Sequence, residues 1–205
     1  MFLESVNQGA PALRWDADES PEALGLSVCF PAEARIQTPG GPRAAADLRP
    51  GDRVWCLDGG SAEVVEVDHC LVRAETMAAP ALWPVVIEPD ALGEGVPERR
   101  VTLSPGHRIC LCHWQAELHF AAPEVLVPAR ALVNGATIRQ DPPSGPVLAV
   151  RFLLARHEVI LVEGLLSEAA FLRRFIGGAP RRPEAARLAL AGAEARLIAR
   201  SVLRD

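Results

Sequence analysis

Cys29-Phe30-Pro31, followed by Thr38-Pro39-Gly40-Gly41 and then Asp47-Leu48-Arg49-Pro50-Gly51-Asp52-Arg53-Val54, is the stretch whose reading decides the fold. It reads as short extended segments punctuated by turns. Pro and Gly supply the turn conformations, and Asp52 places a carboxylate where it can fix the bend after Gly51. A cysteine at the head of such a module is placed to attack the carbonyl of the residue before it, here Val28. That attack exchanges a peptide bond for a thioester.

Further along, short β-type runs recur at Arg53–Leu57, Glu63–Val67, Val85–Glu88, Arg100–Leu103, Arg108–Cys112, Val125–Val127, Val147–Leu154 and Glu158–Glu163. Turn signals separate them, among them Asp58-Gly59-Gly60, Asn134-Gly135 and Pro142-Pro143-Ser144-Gly145. Strands this short and this closely spaced predict a compact all-β module over residues 29–166. Residues 1–28, acidic around Asp16, Asp18, Glu19 and Glu22, read as a leader segment.

From Ser167 the pattern turns helical. Ser167-Glu168 offers a hydroxyl cap, Phe171, Leu172, Phe175 and Ile176 fall at helical spacing, and Gly177-Gly178-Ala179-Pro180 stops the run. A second helix is expected from near Pro183-Glu184. Residues 167–205 are therefore expected to form a helical C-terminal extension, with its arginines and interleaved Glu184 and Glu194 on a solvated face.

Composition narrows the function. The chain has 205 residues and a net charge of −5, which carries no nucleic-acid signature. It lacks both Lys and Tyr and is rich in Ala, Pro and Gly, the mark of a GC-rich, bacterial genome. Without Lys, no side-chain amine competes for an internal thioester. Five cysteines leave one odd, so reduced thiols are expected rather than a disulfide framework. No run approaches the ~20 apolar residues of a membrane helix, and no signal peptide is visible at the start. The expected location is cytoplasmic.

A second segment, Val101-Thr102-Leu103-Ser104-Pro105-Gly106-His107-Arg108, places a hydroxyl three residues before a histidine. Amide nitrogen is a poor leaving group, and an imidazole that protonates it makes expulsion feasible, typically worth ~100- to 10,000-fold. Together with the Cys29 block, this segment resembles the two leading blocks of the Hint superfamily, the fold of hedgehog C-terminal domains and inteins. Val125-Leu126-Val127-Pro128-Ala129-Arg130-Ala131-Leu132-Val133-Asn134-Gly135 and His157-Glu158-Val159-Ile160-Leu161-Val162-Glu163-Gly164 are similar to later blocks of bacterial Hint-type proteins.

The resemblance implies autoprocessing in cis, a single turnover. Cys29 is then the nucleophile against Val28, His107 assists the amide and raises the thiolate character of Cys29, and Ser104 supports them. His157 is a further candidate, and Asp68 stands roughly where hedgehog proteins carry an acceptor-activating aspartate. Two departures shape the expectation. Inteins end in His-Asn before a nucleophile, whereas Leu165-Leu166-Ser167-Glu168 follows Gly164, so splicing is not expected. Hedgehog proteins place Gly before the cysteine, and Val28 crowds the carbonyl instead. Water or a small nucleophile is the expected acceptor, with no cofactor, no metal and no assigned protein partner.

Three other readings stay open on the residues. One is an inactive Hint-shaped binding or structural module. Another is a cysteine hydrolase acting in trans through Cys29 and His107. The third is a structural metal site at Cys110-Leu111-Cys112-His113 with His119.

Overall fold

The structure, a computed structural model, describes residues 28–73, 77, 79–171, 175–176, 179–180 and 186–203. The cysteine block supplies β1 (Phe30–Pro31), β2 (Arg35–Thr38), β3 (Gly41–Ala44), β4 (Arg53–Cys56) and the long β5 (Gly60–Val72). Next come β6 (Val85–Ile87), β7 (Val101–Leu103) and β8 (Arg108–Cys112), then the short helix α1 (Trp114–Phe120). β9 (Glu124–Pro128), β10 (Ile138–Gln140), β11 (Val147–Leu154), β12 (Val159–Val162) and β13 (Leu165–Glu168) follow. The remainder holds β14 (Ala170–Phe171), β15 (Phe175–Ile176), β16 (Ala179–Pro180), β17 (Leu188–Ala189) and α2 (Gly192–Val202).

Among the described residues, twelve strands join in one sheet whose main path runs β1-β11-β5-β4-β12-β13-β8-β9-β17. The expected all-β class is what the sheet shows, and the sheet continues past residue 166 through β13, β14 and β17. β5 is long enough to pair with β4 at one end and with β11 along the rest. Alternation explains which faces are inside: Ile36 and Thr38 of β2, and Val54 and Cys56 of β4, are buried while their neighbours are not. The Gly51-Asp52 turn works as its residues suggest. The Arg49 amide donates to Asp52 Oδ2 at 2.8 Å, and Arg43 Nη1 meets Oδ1 at 2.8 Å.

The expected helix from Ser167 is not there, because Leu165–Glu168 is strand β13. The cause lies just upstream. Glu163 and Gly164 form a two-residue loop with φ of 49° and 80°, the left-handed geometry that matches the twist of a tight hairpin. It folds β13 back on β12, with Val162 opposite Leu165 and Ile160 opposite Ser167. Of the second expected helix, 181–185 lie outside the described residues, and α2 begins at Gly192. Leu190, Ala195, Ile198 and Ala199 join the main apolar core, and β17 runs parallel to β9. The C-terminal helix is thus part of the packing. α1 was not foreshadowed by periodicity; His113 caps it by accepting from the Gln115 amide at 3.3 Å.

Candidate active site

Cys29 precedes β1, whose Phe30 and Pro31 pair with Val150 and Ala149 of β11. Cys29 is 8% exposed and packs with Ala149, Cys70 and Val72. It borders an apolar cavity of about 80 Å³ that Leu82, Leu103 and Ser104 also line. Burial pushes the thiol up to about 12; Cys70 and Asp68 push the same way, while Arg151 pulls it down. Arg151 is ion-paired with Asp68, directly across on β5. The cation acting on Cys29 is therefore Arg151, and His107 is not among the groups that act on it.

His107 lies against the other flank of β1. It is fully buried, and its ring meets Phe30 edge-on with centroids 4.9 Å apart, while Phe30 stacks on Phe152 at 5.5 Å. The Ser104–His107 turn is closed by the His107 amide donating to the Ser104 carbonyl at 3.0 Å. It is clamped by the Ala129 amide on the His107 carbonyl at 2.8 Å. Nε2 of His107 is hydrogen-bonded to Ser167 Oγ of β13, whereas Nδ1 is buried with no hydrogen-bond partner among the described residues. Burial lowers the imidazole to about 4, so it is neutral near pH 7.

The neighbouring Glu168 is buried and accepts from the Arg108 amide at 3.1 Å, pairs with Arg108 Nη1 at 3.3 Å, and meets His157 Nε2 at 3.3 Å. Burial raises its carboxyl, but the His157 hydrogen bond and nearby positive charge outweigh that and leave it below its ordinary value. Nδ1 of His157 accepts from the Ala186 amide at 3.0 Å. A neutral His157 therefore carries its proton on Nε2 and donates it to Glu168. His157 tethers residue 186 to β13 and does not line the Cys29 cavity.

The structure thus groups the expected residues in two places. Cys29 and Ser104 share the cavity, and Asp68 stands near the thiol through its pair with Arg151; His107 and His157 belong to the network around Ser167 and Glu168. Among the described residues, no three His, Cys, Asp or Glu side chains converge as a metal-holding group. Of Cys110 and Cys112, the first is buried and the second exposed.

A family model described as Hint domain matches residues 28–174. The chain belongs to the Hint domain family. Its Hint fold is similar to that of the bacterial intein-like domain from Clostridium thermocellum, at 12% identity and a TM-score of 0.47, over 68% of this chain and 96% of that one. The gp41-1 intein matches at 11% identity and 0.44, over 68% of this chain and 96% of that one. The MchDnaB-1 intein matches at 14% identity and 0.43, over 68% and 98%. These likenesses concern the fold. No curated protein matches the chain.

Arg151 and Ser167 were missed by the sequence reading. Ser167 carried a usable signal: a two-residue loop at Glu163-Gly164 fixes the hairpin register and turns Ser167 inward. Arg151 sits in a run of apolar residues with nothing local to mark its partner 83 positions away.

Proposed function

We propose that this Hint domain cuts its own backbone at Val28–Cys29 by an N-to-S acyl shift. Cys29 Sγ bonds to the Val28 carbonyl carbon, the C–N bond breaks, and the proton lost by the thiol ends on the freed Cys29 amine. Water or a small nucleophile then opens the thioester and separates 1–28 from 29–205. Splicing plays no part, because no His-Asn pair follows Gly164.

The observation that carries this reading is the unpartnered, buried Nδ1 of His107. An orphaned buried nitrogen costs about 1–3 kcal/mol, and such groups persist where they serve a purpose. Where Ser167 donates to Nε2, the neutral ring holds its proton on Nδ1, which is buried without a hydrogen-bond partner among the described residues. That is the atom able to serve the leaving amide nitrogen.

A second reading, an inactive Hint-shaped module, is favoured by the resting electrostatics. Burial raises the thiol to about 12 and lowers the imidazole to about 4, so direct proton transfer between them is uphill. Intact-mass measurement of the full chain, with and without dithiothreitol or hydroxylamine, separates the two. Loss of residues 1–28 in the wild type, absent in Cys29→Ala and His107→Ala, supports self-cleavage. An unchanged mass under strong nucleophile leaves the inactive module.

A further inference from the structure

β1, β11 and β5 are consecutive in the sheet, with Phe30 opposite Val150 and Arg151 opposite Asp68. Continuing that register by one residue brings Cys29 level with Arg151 and Asp68 beyond it. The contacts agree on the face. Cys29 packs with Ala149 and Cys70, which alternate in phase with Arg151 and Asp68 along their own strands. Phe30 turns the other way, against His107 and Phe152. One row of side chains therefore runs across three strands: thiol, guanidinium, carboxylate.

We propose that Arg151 is the positioning residue for the Cys29 nucleophile, holding negative charge on Sγ as it forms, while Asp68, paired with the guanidinium, moderates its field. This rests on reading Cys29 as the nucleophile. Arg151 stays protonated throughout: as the C–S bond forms, the negative charge that develops on sulfur is balanced by the guanidinium and passes into the carbonyl, and the thiol proton ends on the freed Cys29 amine. The chemistry explains why a cation is needed on this face. Burial alone suppresses the thiolate, and the other charged or titratable neighbours, Cys70 and Asp68, suppress it further. Glu66, beside Arg151, also keeps the guanidinium charged. Since Asp68 sits with its charge bound to Arg151, it is a brake on the thiol, a role different from activating an acceptor.

Iodoacetamide alkylation of the full chain, followed at each cysteine by peptide mass spectrometry from pH 7 to 10, tests this directly. The exposed Cys112 serves as reference for reagent and the buried Cys110 as reference for opening of the fold. Arg151→Met is expected to slow Cys29, relative to both references, by about tenfold and to shift its pH profile upward; Arg151→Lys stays within about twofold of wild type. Asp68→Asn moves the other way and speeds Cys29 without speeding Cys110. Equal rates in wild type and Arg151→Met overturn the proposal, as does a Lys variant as slow as Met. Should Arg151→Met not fold, Asp68→Asn decides, because no acceleration there is equally fatal. Alkylation reads the coupling whether or not the chain cuts itself, so failure here is distinguishable from failure of the cleavage experiment.

Discussion

Nε2 of His107 and the hydroxyl of Ser167 form a hydrogen bond wholly inside the protein, joining the turn before β8 to strand β13. The pairing fixes which ring nitrogen is left over: Nδ1, buried without a hydrogen-bond partner among the described residues. Ser167→Ala strands both ring nitrogens. We expect a stability loss of about 1–3 kcal/mol in urea unfolding and slower thiol-induced cleavage; unchanged values in both would show that this hydrogen bond is inconsequential.

Stability should depend on pH through His107. Burial holds the imidazole at about 4, against an ordinary 6.5. As pH falls, the unfolded chain binds the proton first, so stability is complete above about 6.5 and declines from there towards 4. The expected loss is roughly 2 kcal/mol by pH 5. Urea midpoints at pH 7 and 5 measure it, and His107→Gln should flatten the difference.

Gly164 is the strictest of the turn glycines. Its φ is 80°, and a Cβ there would stand 3.0 Å from the Gly95 carbonyl oxygen and 3.0 Å from Glu98 Cγ. Gly41, at φ 105°, has open space around it. Gly164→Ala should cost about 2 kcal/mol or more and Gly41→Ala less, because only the first adds a clash to the strain. Equal losses in urea unfolding would count against the register argument.

Val28→Gly should accelerate dithiothreitol-induced cleavage by about tenfold, since a β-branched acyl group shields its own carbonyl from sulfur. Product formation followed by mass spectrometry over hours checks this; a slower Gly variant would mean that the contact of Val28 with the core positions the bond.

Most of the sheet was legible in the sequence because strands half buried on one face alternate visibly and Gly-rich turns separate them. The Asp58-Gly59-Gly60 and Pro39-Gly40-Gly41 signals fall where β4 meets β5 and β2 meets β3. The stretch after Gly164 misled because Phe171, Leu172, Phe175 and Ile176 match helical spacing, while a hairpin turn upstream had already committed Ser167 to a strand. Tertiary pairing overrode local periodicity there. For the site, Cys29, Ser104 and His107 announce themselves by motif. Arg151 does not, since its meaning depends on strands brought together from opposite ends of the domain.

β1 is only two residues long, lies at the end of the sheet path, and begins its pairing at Phe30. The bond expected to break is thus upstream of every ladder contact the strand makes. Severing it removes the core contact of Val28 and none of the strand pairings among the described residues. The sheet of the described residues is complete without the scissile bond, so cleavage there leaves its strand order as it was.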